Sequence, residues 1–197
     1  MPPKSASSLN GTVMAGAVRA ALGVAVLGGF LFGGASAFGA TAPAGGTVNF
    51  WGTPNSNGPG GTILLTGAIG DYGKTISVNS AGKPEKKGGY TEAVLKKGSI
   101  LVNTTQLNSA VNAAFNQASE NAATCSASIT VTGSLPIVSG TKAYAGITGT
   151  LTDTISFAAY GPYYTHGSKK GQCNEGSNAT PTDQWASSTG SGTVSFG

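Results

Sequence analysis

Two carboxylates carry the chemical interest of this chain, because each falls at an apolar position of an alternating segment. In the stretch Ile147–Ala159 the odd positions include Ile147, Leu151, Ile155, Phe157 and Ala159, and the even positions are Thr148, Thr150, Thr152, Thr154 and Ser156. Period-two alternation of this kind gives a strand with one apolar and one hydrated face. Asp153 shares the parity of Leu151 and Ile155. A carboxylate turned inward must be paired, hydrated or protonated. Asp153 therefore reads as the polar anchor of a ligand cavity walled by Leu151, Ile155 and Phe157, unless a bulge reverses the parity and places it in water. Asp71 shares the parity of Ile63, Leu65 and Ile69. Asp71-Tyr72-Gly73 also reads as a bend, so Asp71 either caps a turn or faces the same cavity.

The other reactive residue types form no recognisable set. His166 stands alone in a loop of Gly, Pro, Tyr and Lys, and no Ser or Cys is visibly paired with it. A nucleophile–base pair therefore has no support. One His and scattered acids give no metal-ligand spacing. No motif calls for a cofactor, and no reaction is legible. The two cysteines, Cys125 and Cys173, read as a disulfide spanning 48 residues, worth about 4 kcal/mol in the chain-entropy picture. Tyr160, Tyr163 and Tyr164 could line a cavity mouth, bind a glycan, or pack beneath the loop that this bridge ties down. Asn103-Thr-Thr and Asn178-Ala-Thr match a glycosylation sequon, which arises readily by chance in so Asn- and Thr-rich a chain.

These residues need a frame, and the ends and composition bound it. Lys4 and Arg19 precede an apolar run, Ala20–Phe32, and Ala35-Ser36-Ala37 follows with small residues at the spacing of a cleavage site. Residues 1–37 therefore read as a signal peptide of a secreted protein. The apolar run is too short for a spanning helix, which needs roughly 20 residues, so no stable membrane anchor is expected after cleavage. The remaining 160 residues suit one domain with its own core. They carry nine Lys, no Arg and seven acids. That balance is too weak and dispersed for a nucleic-acid partner.

With 32 Gly and only 9% charged residues, the composition favours strands and turns over helices. Residues 38–61 read as a flexible lead with a short strand at Thr47–Trp51, and residues 62–197 as a β-barrel domain. Strands are expected at 62–71, resuming at 74–79, then within 90–104, from 124 to 133, from 144 to 160, and from 184 to the end. Leu107, Val111 and Phe115 recur every four residues and predict the one helix, covering an end of the barrel. Long strands and abundant Gly favour closure into an eight-stranded antiparallel barrel over a two-sheet sandwich.

The segment Gly140-x-x-x-Tyr144-x-Gly146-x-x-Gly149 resembles the glycine–aromatic–glycine signature of the allene oxide cyclase and dirigent-like barrels. Lys169-Lys170-Gly171-Gln172-Cys173-Asn174 and Gly190–Phe196 look similar to secreted bacterial members of that superfamily. The resemblance implies an eight-stranded antiparallel barrel with a central cavity, whose members cyclise a fatty-acid epoxide or direct phenoxy-radical coupling without a cofactor. Lys142 departs from the pattern, and no residue matches the plant cyclase's catalytic carboxylate, so only the fold and the cavity carry over. Three functions remain open at this level. One is binding of a small hydrophobic molecule inside the barrel. Another is a secreted surface domain with a filled core. The third is a cofactor-free cyclase or isomerase. The sequence does not set an oligomeric state.

Overall fold

The computed structural model describes residues 44–54, 60–86, 88–174, 176 and 179–197. The expected signal peptide and the sequon at Asn178 lie outside them. Eight strands form a closed barrel in which every neighbour is antiparallel and the spatial order is the chain order. They are β1 (Gly46–Pro54), β2 (Gly61–Gly67), β3 (Asp71–Val78), β4 (Tyr90–Leu95), β5 (Ser99–Asn103), β6 (Ser126–Gly140), β7 (Ile147–Tyr160) and β8 (Asp183–Phe196). One helix, α1 (Thr105–Gln117), separates β5 from β6. The fold class expected from composition and alternation is the one observed.

Closure follows from β1, which pairs with β2 on one side and β8 on the other. The barrel therefore begins at Gly46, not at residue 62. Val48 and Phe50, the two apolar residues that marked the short strand, are both buried in the core. The chain also reverses earlier than expected. The turn falls at residues 68–70, and Asp71 opens β3 instead of ending a strand. Ile69 drops into the core at this turn, 2% exposed. The segment 90–104 is a pair of strands joined at Gly98, whose φ of 156° suits the sharp connection. Between β5 and β6 the register shifts at Leu101/Val102, where Leu101 faces Ser139 and Val102 faces Ile137. The unmatched Val138 is pushed outward and is exposed.

The core gathers inward positions of seven of the eight strands, among them Val48, Phe50, Leu65, Leu95, Ile100, Leu135, Ile147, Leu151 and Val194, together with Leu107 from α1 and Ile69 from the β2–β3 turn. In an up-and-down barrel alternate turns share an end. The β2–β3, β4–β5 and β6–β7 connections thus close one end. The other end holds α1, the long β7–β8 loop and the flared starts and finishes of β6, β7 and β8. Phe115 of α1 meets Phe157 of β7 edge to face there, with ring centroids 5.1 Å apart. This contact fixes the helix over the barrel mouth.

Candidate functional site

The alternation of β7 survives intact. Ile147 and Leu151 are buried, Thr148, Thr150 and Thr152 are exposed, and Asp153 points inward with 5% exposure. No bulge interrupts the strand, which pairs continuously with β8 from Ile147–Phe196 to Tyr160–Asp183. Asp153 lies opposite Gly133 on β6 and Gly190 on β8. Both glycines are there for close approach. A methyl group on Gly133 would come within 2.9 Å of Leu107 Cδ1, and one on Gly190 would run into the ring of Phe50. Leu107 and Phe50 therefore cover the two flanks of the carboxylate, and β8's Ser188 supplies its polar partner. Ser188 Oγ donates to Asp153 at 2.8 Å from Oδ1 and 3.0 Å from Oδ2.

This setting raises the Asp153 carboxyl to about 6. Burial beneath apolar groups is the largest cause. The Ser188 hydroxyl and the backbone N–H of Thr154 oppose it without cancelling it. Near neutral pH the group can hold or release a proton, the property of a general acid or base. A single carboxylic acid and one hydroxyl form no nucleophile–base relay, and His166 lies exposed in the β7–β8 loop.

Asp71 is also inward and buried, 6% exposed, but its environment is the opposite. Tyr144 donates its hydroxyl to Oδ2 at 2.6 Å, the Lys97 N–H donates to Oδ2 at 2.9 Å, and the Tyr72 N–H donates to Oδ1 at 2.8 Å. Desolvation would raise this carboxyl, but the hydrogen bonds from Tyr144 and from the backbone at Lys97, Tyr72 and Lys96 outweigh it and hold it below its ordinary value. Burial, and then the bond to Asp71, push the Tyr144 phenol up. The network joins the β2–β3 turn, the β4–β5 turn and the short 3-10 turn Lys142–Tyr144, so Asp71 clasps the closed end. The two carboxylates lie on one lateral row, Asp153–Gly190–Phe50–Leu65–Asp71. Three strands separate them, and they share no hydrogen-bond partner.

Ile155 and Phe157 are half-buried and continue the inward row of β7 beyond Asp153 toward the helix-covered end. An open concavity lies elsewhere on that end. A groove of about 700 Å³ runs along the starts of β6 and β8 and the finish of β7, lined by Ser126, Ser128, Ala158, Tyr160, Asp183, Gln184 and Trp185, with Ser119 and Asn121 from the segment after α1. Trp185 is 59% exposed and Tyr160 is 41% exposed. A smaller hollow of about 250 Å³ lies near Glu92, Ser99 and Thr141. Asp153 lines neither.

The groove is framed by fixed backbone. Cys125 and Cys173 are bonded, with Cα atoms 5.3 Å apart. Gly161 N–H donates to Cys125 O at 2.6 Å, Asn121 N–H to Ser126 O at 2.8 Å, Asn174 N–H to Pro162 O at 2.8 Å, and Thr182 N–H to Tyr160 O at 2.7 Å. Tyr163 packs edge to face on Tyr160, with centroids 6.1 Å apart. Glu120 lies within 4.8 Å of both cysteine sulfurs, but those sulfurs are bonded to each other and leave no metal-binding set there.

Comparison with known proteins finds no matching family model, no matching curated protein and no matching solved structure.

Sequence reasoning flagged Asp153, Asp71 and Tyr160 but missed their settings. Ser188, Leu107, Tyr144 and Lys97 come from distant segments, and no local signal marks them as partners. Trp185, within the polar run Thr182-Asp-Gln-Trp, had a readable signal. Trp185 falls on the parity opposite to Val194 and Phe196 of the same strand, so alternation turns it outward.

Proposed function

We propose that this protein is a binding module that takes a saccharide in the groove at the helix-covered end of the barrel. The observation that carries the reading is the exposed pair Trp185 and Tyr160 on a backbone stapled by the disulfide and its neighbouring hydrogen bonds. An exposed indole beside a tyrosine offers an apolar face whose burial by a ligand is favourable. The flat C–H face of a sugar ring matches an indole, and the surrounding Asp183, Gln184, Ser126 and Ser128 offer both donors and acceptors for ring hydroxyls. A rigid frame lowers the ordering cost on binding. The disulfide fits a non-reducing environment. Secretion, proposed from the leader at residues 1–37, would place the groove where polysaccharides occur. A panel of neutral oligosaccharides, followed by tryptophan fluorescence, should yield at least one ligand whose binding is lost in Trp185→Ala. Absence of binding across the panel, or binding indifferent to Trp185→Ala, refutes the reading.

A second reading keeps the interior as the site. Asp153, with Ser188, would anchor a small hydrophobic molecule entering past the half-buried Ile155 and Phe157. Placement among the allene oxide cyclase and dirigent-like barrels, proposed on the Gly140–Gly149 signature, favours this alternative, and cofactor-free isomerisation would be its enzymatic form. Against it, Phe50 and Leu107 already occupy the space beside the carboxylate. Native mass spectrometry of the folded protein separates the two readings, because a small hydrophobic molecule retained in native protein and lost in Asp153→Leu requires an open interior.

A further inference from the structure

The wall of the barrel opposite in character to the hydroxyl-rich β7–β8 face carries a compact apolar patch. Trp51 of β1 lies opposite Leu64 of β2, and Leu64 lies opposite Tyr72 of β3. Val94 of β4 pairs with Lys74, two residues along β3 from Tyr72 and on the same outer face. These four residues are 48%, 49%, 59% and 41% exposed, and they are four of the seven large hydrophobic residues exposed among the described residues. Their clustering on consecutive strands is a patch and not scatter.

Lysines outnumber acids around it, with Lys74, Lys96 and Lys97 against Glu92. Lys74 lies within the patch. Lys96 holds its ammonium 5.3 Å from the centre of the Tyr72 ring. Lys97 follows in the same turn and donates its ammonium to Gly70 O at 3.2 Å. Asp71 beneath them is buried and engaged with Tyr144. Glu92, two residues from Val94 on the same outer face of β4, is the one acid of that strand and leaves the lysines in excess.

We propose that this wall docks on an anionic lipid surface, with Trp51, Leu64 and Tyr72 entering the headgroup boundary and Lys74 and Lys96 meeting the lipid phosphates. Trp, Tyr and Leu beside Lys are the side-chain set that partitions to such an interface. Other occupants fit less well. An added β-strand has no edge to pair with, because closure leaves β1–β4 hydrogen-bonded to neighbours on both sides. A second copy joined by a two-fold axis through the patch would bring two lysine-rich surfaces together, with only Glu92 on each to offset them. A sugar stacked on Tyr72 would compete with Lys96 for the ring face. The association is peripheral and reversible, and it is independent of the saccharide groove, which lies on β6–β8.

The test is co-sedimentation of the full secreted chain with vesicles of phosphatidylcholine alone or of phosphatidylcholine mixed two to one with phosphatidylglycerol. The protein should sediment with the mixed vesicles at low salt, dissociate as salt rises, and stay in solution with phosphatidylcholine. Lys74→Gln and Lys96→Gln, both solvent-facing changes, should each weaken binding about fivefold. Trp51 emission, isolated in a Trp185→Phe background, should shift to shorter wavelength on the mixed vesicles. Failure to sediment, equal sedimentation with both vesicles, indifference to the lysine changes, or an unmoved Trp51 emission would each overturn the proposal.

Discussion

Replacing Asp153 with asparagine should stabilise the protein at neutral pH and remove a pH dependence that the native chain carries. The carboxyl sits near 6 when folded and 3.8 when unfolded. The folded state therefore binds the proton more tightly, and between these values it holds more protons than the unfolded state. The contribution to stability is then fully present below about pH 4, falls as pH rises through about 6, and is flat above that. The gap of about two units corresponds to about 3 kcal/mol at most. Discounting for residual solvent screening of a group that is not wholly enclosed leaves about 2–3 kcal/mol. The asparagine side chain would mimic the protonated acid in shape and neutrality, and Ser188 Oγ can turn to accept from its amide. In a domain of this size the gain should raise the melting temperature by roughly 4–10 °C near pH 7.5 and by almost nothing near pH 4. Comparing the two proteins across pH, rather than following one, isolates this group from Asp71, whose lowered value works in the opposite sense. If native protein and Asp153→Asn melt in parallel from about pH 4 to 7.5, the carboxylate is not desolvated, and the packing of Phe50 and Leu107 around it is wrong.

Gly190→Ala should destabilise by about 1–3 kcal/mol in a denaturant titration, since the added methyl must displace the Phe50 ring or part β7 from β8. Tyr144→Phe should cost about 1–3 kcal/mol and raise the pH of acid unfolding, because Asp71 loses its hydroxyl donor and is protonated earlier. Replacing both Cys125 and Cys173 by Ser should lower stability by about 4 kcal/mol without dispersing the β-sheet circular dichroism, because the barrel core is built from residues other than these two.

Legibility followed the range of the interaction. The inward placement of Asp153 was readable because strand alternation is a local property and β7 runs 14 residues without a bulge. The membership of β1 was not. Its two apolar residues look like a fragment until β2 and β8 pair on either side of it. Asp71 was legible as an inward position. Its role as a clasp was hidden, because Tyr144 lies 73 residues away in sequence and Lys97 lies 26 away.

By itself, the sequence determined the alternating strands, the amphipathic helix α1 and the pairing of the only two cysteines, since each follows from period or count within the chain. Tertiary structure alone decided that two buried aspartates would have opposite characters. Burial beneath Phe50 and Leu107 leaves Asp153 with one hydroxyl, one backbone N–H and a raised affinity for its proton, whereas convergence of two turns and a tyrosine surrounds Asp71 with donors and lowers it. A carboxyl's proton affinity is set by what is within a few ångströms, and in a closed barrel those neighbours come from strands far apart in the chain.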